Sequence, residues 1–445
     1  MIKRHIINEL NKWSVKKNRK PLVLRGARQV GKTTIVNEFS KKYKSYIYLN
    51  LENREHLKIF ENKNSFSEVF EAIFYVSNKE KVEESILIFI DEIQYSPDAI
   101  RYLRYFYEEK PEIHVIAVGS LLETLLNRNI SFPVGRVEYM ALRPCSFMEY
   151  LNAIKDTASI ELIESLKIPA YAHDKILNHF KRYMLIGGMP EVIANYAENR
   201  DLVQLNSIYQ TLLTGFNDDV EKYSSNNSML QYIRHILRTG FAYAGQRIKF
   251  ENFGGSSYRS REMAEAFRTL EKTMLLELVY PITNTTLPIS PNFKKSPKLQ
   301  WLDLGLVNYA AGVQHEIFNS DEISTIWKGI SSEQIIGQEI LAYNTNVLYK
   351  RNFWTREEKN SVAEIDYIIN FNGLIIPIEV KSGDTGRLRS LHLFMDAAPH
   401  NVAVRVYSDK FSIDTVKTLG GKEFKLINLP FYLISQLERI LQSVF

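Results

Sequence analysis

The sequence predicts an α/β fold: a parallel sheet first, a mainly helical middle, and a second, smaller α/β unit at the C-terminal end. Three observations carry this expectation. A glycine-framed loop, Gly26-Ala27-Arg28-Gln29-Val30-Gly31-Lys32-Thr33, stands between a short apolar strand and a helix. An unbroken apolar run, Ile86-Leu87-Ile88-Phe89-Ile90, ends in Asp91-Glu92, as expected of a central strand buried on both faces. Further on, Ala363 to Ile369 and Leu374 to Lys381 meet through Asn372-Gly373, the favoured two-residue hairpin turn.

A chain of 445 residues exceeds what one core usually organises, and the pattern divides it at 1–170, 171–325 and 326–445. With 45% apolar and 24% charged residues it reads as an ordinary globular protein. Its first residues mix charge with apolar side chains, and no aliphatic run is long enough to span a bilayer, so neither secretion nor membrane insertion is expected. The single cysteine, Cys145, excludes an internal disulfide and a Cys-rich metal site and fits a reducing cytoplasm. A net charge of +5 permits contact with nucleic acid without arguing for it. The densest basic run, Lys16-Lys17-Asn18-Arg19-Lys20, reads either as a solvated turn or as a phosphate contact.

Pro21 to Arg25 is the first strand, and Thr33 to Lys41 reads as the helix after the loop. Strand, loop and helix are the context a phosphate-binding P-loop requires. Gly26 and Gly31 let the backbone curl until successive N–H groups face one centre, and the helix N-terminus adds partial positive charge. Gly26, Ala27, Arg28, Gln29, Val30, Gly31, Lys32, Thr33 and Thr34 are therefore the candidate nucleotide-binding residues, with ATP and Mg²⁺ as ligands. Lys32 would reach the β- and γ-phosphates and Thr33 would offer its hydroxyl to the metal, with Thr34 the lesser candidate. Tyr46 to Leu51 is a second strand. Asp91 and Glu92 close the third, where an open α/β sheet binds ligands; Asp91 would complete the Mg²⁺ shell and Glu92 would polarise the attacking water.

The fourth strand, His114 to Val118, ends in Gly119-Ser120. Ser120 either tests the γ-phosphate or lytic water or caps a helix. Arg136, just before an alternating strand from Val137 to Leu142, is either an arginine finger, in cis or from a neighbouring copy, or one half of a surface salt bridge; Arg128 and Arg143 are rival fingers.

In the middle, a helix from Asp174 to Ile186 stops at Gly187-Gly188, and Met189-Pro190-Glu191 opens the next. Helix, turn and helix, followed by Leu278 to Pro281 and a returning strand from Leu299 to Leu302, resembles a winged helix. Such a module binds duplex DNA or acts as a packing spacer, and Arg261 and Arg268 are its obvious phosphate contacts.

In the C-terminal hairpin, pairing Phe371 with Leu374 sets Asp366 opposite Glu379 and Glu364 opposite Lys381, all on one face. Facing carboxylates repel unless a cation sits between them, which suggests a Mg²⁺ site with a lysine beside it. Asp366 with Glu379-Val380-Lys381 is the pattern of the PD-(D/E)xK nucleases, whose upstream acidic residue would come from the helix Ser331 to Tyr343. That helix supplies Glu333 and Glu339, and Glu339 is preferred. The plainer reading is a solvated hairpin face.

These segments, with Leu142-Arg143-Pro144-Cys145-Ser146-Phe147, Gly187-Gly188-Met189-Pro190-Glu191, Leu302-Asp303-Leu304-Gly305-Leu306 and Ile378-Glu379-Val380-Lys381-Ser382-Gly383, give the chain a resemblance. It resembles the prokaryotic AAA-type ATPases of the archaeal ATPase-like group that end in a nuclease-related domain of unknown function. The resemblance implies ATP binding and hydrolysis on an AAA-like core, a winged-helix linker and a restriction-endonuclease-like end. It makes ATP and DNA the expected partners, with no membrane, and a second copy of the chain wherever an arginine is supplied in trans. Arg28-Gln29 departs from the small residues usual in such loops. Two other readings are a nucleotide-regulated switch whose C-terminal domain only binds DNA or protein, and a chaperone-like remodeller.

Overall fold

Strands β1 (Leu22–Arg25), β2 (Ser45–Asn50), β3 (Ile86–Asp91), β4 (His114–Val118) and β5 (Glu138–Ala141) form a parallel sheet in the order β2-β3-β4-β1-β5. The computed structural model describes residues 2–61, 65–80, 85–119, 132–224, 226–313, 325–358, 361–382 and 388–445. The inner strands β1, β3 and β4 are mostly apolar because each feeds two cores. Leu22, Leu24, Leu87 and Phe89 face the helix Ile6–Ser14, which presents Ile6, Leu10 and Trp13 at helical spacing. Val23, Ile88 and Ile90 face the opposite layer, built from the helices Arg54–Glu61, Phe66–Val76 and Pro97–Glu109. With β4 between β1 and β3, the loops that leave all three strands open on the same carboxyl edge.

A second sheet carries β6 (Leu276–Ile282), β7 (Lys298–Trp301), β8 (Asn352–Glu358), β9 (Ser361–Phe371), β10 (Leu374–Val380), β11 (Val402–Tyr407), β12 (Ser412–Lys417) and β13 (Glu423–Pro430), in the order β12-β13-β11-β10-β9-β8-β6-β7. The hairpin β6–β7, which the sequence suggested as the wing of a winged helix, is therefore the edge of the C-terminal sheet. β6 runs parallel to β8 from Tyr280 to Ile282 and is buried along nearly its whole length, which no solvent-exposed wing would be. Packing is equally continuous: one apolar cluster runs from Cys145 to Leu441 and includes residues on both sides of position 325.

The units are knotted together by buried polar groups. Asp303, fully buried, accepts from the backbone N–H of Gly188 at 2.5 Å and of Leu306 at 3.1 Å, and from Gln338 Nε2 at 3.2 Å. Gly187, at φ +72°, lies so close that a Cβ there would collide with the Asp303 carboxylate. Gly188 in turn accepts from Cys145 N at 2.7 Å. Among the described residues no helix is long and apolar enough to cross a membrane.

Removing the Asp303 carboxylate leaves buried donors on the three segments unpaired. Asp303→Ala is expected to cost about 3 to 5 kcal/mol, read as a lower urea midpoint, while Asp303→Asn, which keeps an acceptor, recovers part of the loss.

Candidate functional site

The loop after β1 is shaped by two left-handed residues, Gln29 at φ +63° and Gly31 at φ +92°. Gly26 has no room for a side chain, because a Cβ would press on the Leu142 carbonyl. The helix Lys32–Ser40 starts directly from this curl, so its first N–H groups point into the loop. Lys32 is buried, and its Nζ donates to the carbonyls of Gly26 at 3.0 Å and Ala27 at 2.8 Å. Burial lowers the ammonium to about 8, against the pull of Glu92 and Asp91. A buried ammonium hydrogen-bonded only to carbonyls is a ready partner for an incoming anion.

Thr33 Oγ1 donates to Asp91 Oδ2 at 2.8 Å, so the hydroxyl and carboxylate expected to share a metal already meet. Tyr48 donates to the same oxygen at 3.2 Å. Glu92 sits at φ +52°, a conformation a glutamate rarely adopts, which turns it out of the strand and toward the loop. Burial raises its carboxyl, while Gln94, whose amide donates to it, opposes the shift. Arg28, Gly31, Lys32, Thr33, Thr34 and Glu92 line a cavity of about 520 Å³, within the range of small-ligand sites. These donors and acceptors fit a nucleotide triphosphate with a divalent cation.

Three residues of the cavity wall, and a further contact through Gln94, were not read as site residues from the sequence. Arg4 lines it and donates to Val30 O at 3.2 Å, to Arg143 O at 2.6 Å and to Glu149 Oε2 at 2.8 Å. Pro190 and Ala194 line it from the middle region, so Met189-Pro190-Glu191 is wall as well as helix start. Gln94 does not line the cavity but donates to Glu92, which does. Arg28 joins the loop to the middle region by an ion pair with Asp219, which Lys222 also contacts at 3.1 Å.

Ser120 and Arg128 lie outside the described residues. Arg136 is a correction to the cis arginine finger. It precedes β5, at the amino edge of the sheet opposite the P-loop, and donates to Glu108 at 2.7 Å in an exposed pair. The basic run before β1 is at that same edge: Lys16 pairs with Glu138 at 2.5 Å, and Arg19 donates to the Pro111 carbonyl at 2.7 Å.

In the C-terminal hairpin the register is the expected one, with Leu374 opposite Phe371 and Ile378 opposite Tyr367. Asp366 Oδ2 accepts from Val380 N at 2.8 Å, and Lys381 Nζ lies 2.5 Å from Glu379 Oε1. Glu339 is not part of this cluster. It accepts from Phe147 N at 3.0 Å and from Tyr183 at 2.7 Å, in the junction between units. Six residues of helix turn through about 240°, so Glu333 and Glu339 leave the helix Thr325–Ala342 in different directions. Glu333 is the one that faces the hairpin.

The centre of the acidic group holds Lys298, from β7. Its Nζ lies 2.7 Å from Glu333, 2.8 Å from Glu364 and 3.4 Å from Asp366, and Arg247 approaches Glu364 at 3.6 Å. Burial alone would lower this ammonium, but Glu333, Asp366 and Glu364 outweigh it and hold it well above its ordinary value. Burial pushes Glu333 the other way, toward the neutral acid; at 2.7 Å from a charged lysine the ionised pair is the state the geometry favours. No group of three or more His, Cys, Asp or Glu side chains positioned for a metal occurs among the described residues. These residues do not fit a divalent cation with Lys298 in place.

Three family models match separate stretches of the chain. Residues 18–151 match the family described as AAA domain. The N-terminal unit has an AAA-like P-loop fold. Residues 177–316 match the Domain of unknown function (DUF8612), and residues 328–432 the Domain of unknown function (DUF4143). No curated protein matches the chain. Among solved structures it is similar to the Walker-type ATPase PABY2304 of Pyrococcus abyssi, at 15% identity over 70% of this chain and 96% of that one, with a TM-score of 0.46. It is also similar to the Aeropyrum pernix ORC1 protein, solved in complex with DNA, at 13% identity over 71% and 94% with a TM-score of 0.27. The Thermotoga maritima RuvB Holliday junction branch migration motor gives 14% identity over 62% and 90%, with a TM-score of 0.27.

Glu339 generates a pH test. Tyr183 has one hydroxyl proton and two acceptors, Cys145 O at 2.8 Å and Glu339 Oε1 at 2.7 Å, so a protonated Glu339 supplies the second. Burial pushes this carboxyl from 4.5 up to about 7. Between those values the folded chain holds a proton the unfolded chain has lost, so this group's contribution makes stability fall as pH rises through the window. Glu339→Gln cannot titrate. The wild-type minus variant difference in unfolding free energy is expected to fall by about 2 to 3 kcal/mol between acid and mildly alkaline pH, measured by urea unfolding.

Proposed function

We propose that the chain is a magnesium-dependent ATPase whose nucleotide state is passed to a C-terminal unit that binds a partner rather than cutting DNA. The ATPase part rests on one arrangement: the buried Lys32 ammonium beside the Thr33–Asp91 pair, with Glu92 next along the chain. Lys32 exchanges its bonds to the Gly26 and Ala27 carbonyls for β- and γ-phosphate oxygens. The loop N–H groups and the helix N-terminus hold the same phosphates. Thr33 Oγ1 and Asp91 would hold Mg²⁺, which when bound neutralises charge across the β- and γ-phosphates. Glu92, its basicity raised by burial, takes the proton of the water that attacks the γ-phosphorus, and Gln94 orients it.

The second half of the proposal rests on Lys298. Its ammonium occupies the centre that a nuclease-like acidic group would give to a metal, and Lys381 is engaged by Glu379. That favours a binding unit over a metal-dependent nuclease. The link to the nucleotide is the Arg28–Asp219 pair together with Pro190, both at the cavity wall. Filling the cavity disturbs them, and the helices that carry them share a core with the C-terminal sheet.

Lys32→Ala is expected to reduce ATP turnover by about 10²-fold or more, and an unchanged rate would sink the assignment. Glu92→Gln should bind ATP as wild type does while hydrolysing it about 10²-fold more slowly or worse, which filter binding and phosphate release measure separately. For the C-terminal unit, plasmid and oligonucleotide DNA are incubated with wild type and Asp366→Ala in Mn²⁺. No cleavage by either is expected. Cutting by wild type that Asp366→Ala abolishes overturns the binding-unit reading and restores a nuclease.

A further inference from the structure

A second cavity, of about 220 Å³, lies where all three parts of the chain meet. Arg25 and Arg143 enter it from the ends of β1 and β5, Lys272 and Gln300 from the middle region, and Lys350 and Arg351 from the segment before β8. Two of these cations meet the carboxylates of the lining. Arg351 donates to Glu277 Oε2 at 2.9 Å, and Lys350 to Glu271 Oε1 at 2.8 Å. Glu271 and Glu277 are the carboxylates in the lining, against five cationic side chains. The cavity therefore carries a formal excess of positive charge.

Two buried donors in this cavity have no partner among the described residues: Arg143 Nε and Gln300 Nε2. Gln300 is fully buried, and its oxygen accepts from Arg351 Nη1 at 3.4 Å, which leaves the amide nitrogen as the unused end. Burial lowers the Arg143 guanidinium to about 10, against Glu277 and with Arg351 and Arg25 adding repulsion. A buried guanidinium crowded by other cations is costly until an anion joins it. Apolar residues such as Leu276 and Leu341 complete the wall, so the charge is focused in a small, low-dielectric space.

We infer that this cavity is a binding site for a small phosphate-type oxyanion, held by Arg143, Gln300 and Lys272. Its excess charge favours a doubly charged phosphate over a monocarboxylate. The site is placed to act on the nucleotide loop. Arg25 directly precedes Gly26, and its carbonyl accepts from Leu142 N at 2.7 Å. The Arg143 carbonyl accepts from Arg4, whose other nitrogen holds Val30 of the P-loop. An anion that draws Arg143 inward pulls on both connections.

Calorimetric titration of the full chain with inorganic phosphate tests this. One arm saturates the P-loop with ADP and Mg²⁺; the other uses Lys32→Ala, whose nucleotide loop has lost its ammonium. One phosphate per chain is expected in both arms, so the result does not depend on the ATPase reading. Arg143→Gln should weaken binding about tenfold, and Lys272→Gln, an exposed position that leaves the fold intact, about threefold. Arg136→Gln, paired with Glu108 at the far edge of the sheet, should match wild type. No phosphate bound at up to about 10 mM in either arm overturns the site, as does wild-type affinity in both Arg143→Gln and Lys272→Gln.

Discussion

The Asp303 carboxylate is the constraint on which the rest of the arrangement hangs. Among the described residues it is buried without a cationic partner and is held instead by the amides of Gly188, Leu306 and Gln338. Burial pushes it up to about 6, opposed by those same hydrogen bonds. A carboxylate in that position tolerates nothing bulky beside it, which is why Gly187 carries no side chain, while a Cβ on Gly305 would collide with the Ile186 carbonyl. It also fixes Gly188, whose carbonyl then holds Cys145 N at the end of the ATPase domain. Three short segments far apart in sequence thus meet at one buried acceptor, and the three parts of the chain are set relative to one another by its hydrogen bonds.

The P-loop inherits its surroundings from that junction. Cys145 and Ser146 lead into the helix Phe147–Ala153, and Glu149 on that helix anchors Arg4. Arg4 reaches the loop at Val30, while Pro190, just past Gly188, closes the cavity from the other side. The nucleotide cavity is therefore built by two units, although the residues for phosphate chemistry come from one. This is the physical reason that Arg28, an odd residue inside a phosphate loop, is at home here: Asp219 in the middle region gives it a partner.

Local signals were legible; arrangements that depend on assembly were not. The strands of the first sheet and the hairpin register follow from alternation, apolar runs and the Asn372-Gly373 turn, all of which act over a few residues. The meeting of Thr33 with Asp91 was also legible, because both sit at the carboxyl edge of strands in one sheet. Lys298 was not, because it belongs to a strand that looks like a wing and reaches the acidic group only by joining the sheet. Glu339 was misassigned for a related reason. A helix offers an acidic residue on each of several sides, and only packing decides which one faces the hairpin. Arg136 makes the surface salt bridge that the sequence left open beside the finger, and as a finger in cis it is excluded by position: it precedes its strand, and in a parallel sheet that is the wrong edge.

The lysine among the carboxylates also ties the two sites together. A buried ammonium surrounded by Glu333, Glu364 and Asp366 is not displaced cheaply; breaking such a group by removing one partner costs on the order of 3 to 5 kcal/mol. A divalent cation entering there meets both that cost and the repulsion of the ammonium. Yet Lys298 opens β7, and the same short segment runs through Trp301 to Asp303. Whatever moves the Asp303 junction therefore moves the strand that carries the lysine. Because the P-loop is braced against that junction through Arg4 and Glu149, the proposed nucleotide coupling would have a contiguous packed route to the acidic group. The route runs through bonded and buried groups at each step, so the coupling proposed for this chain would pass through groups already packed together.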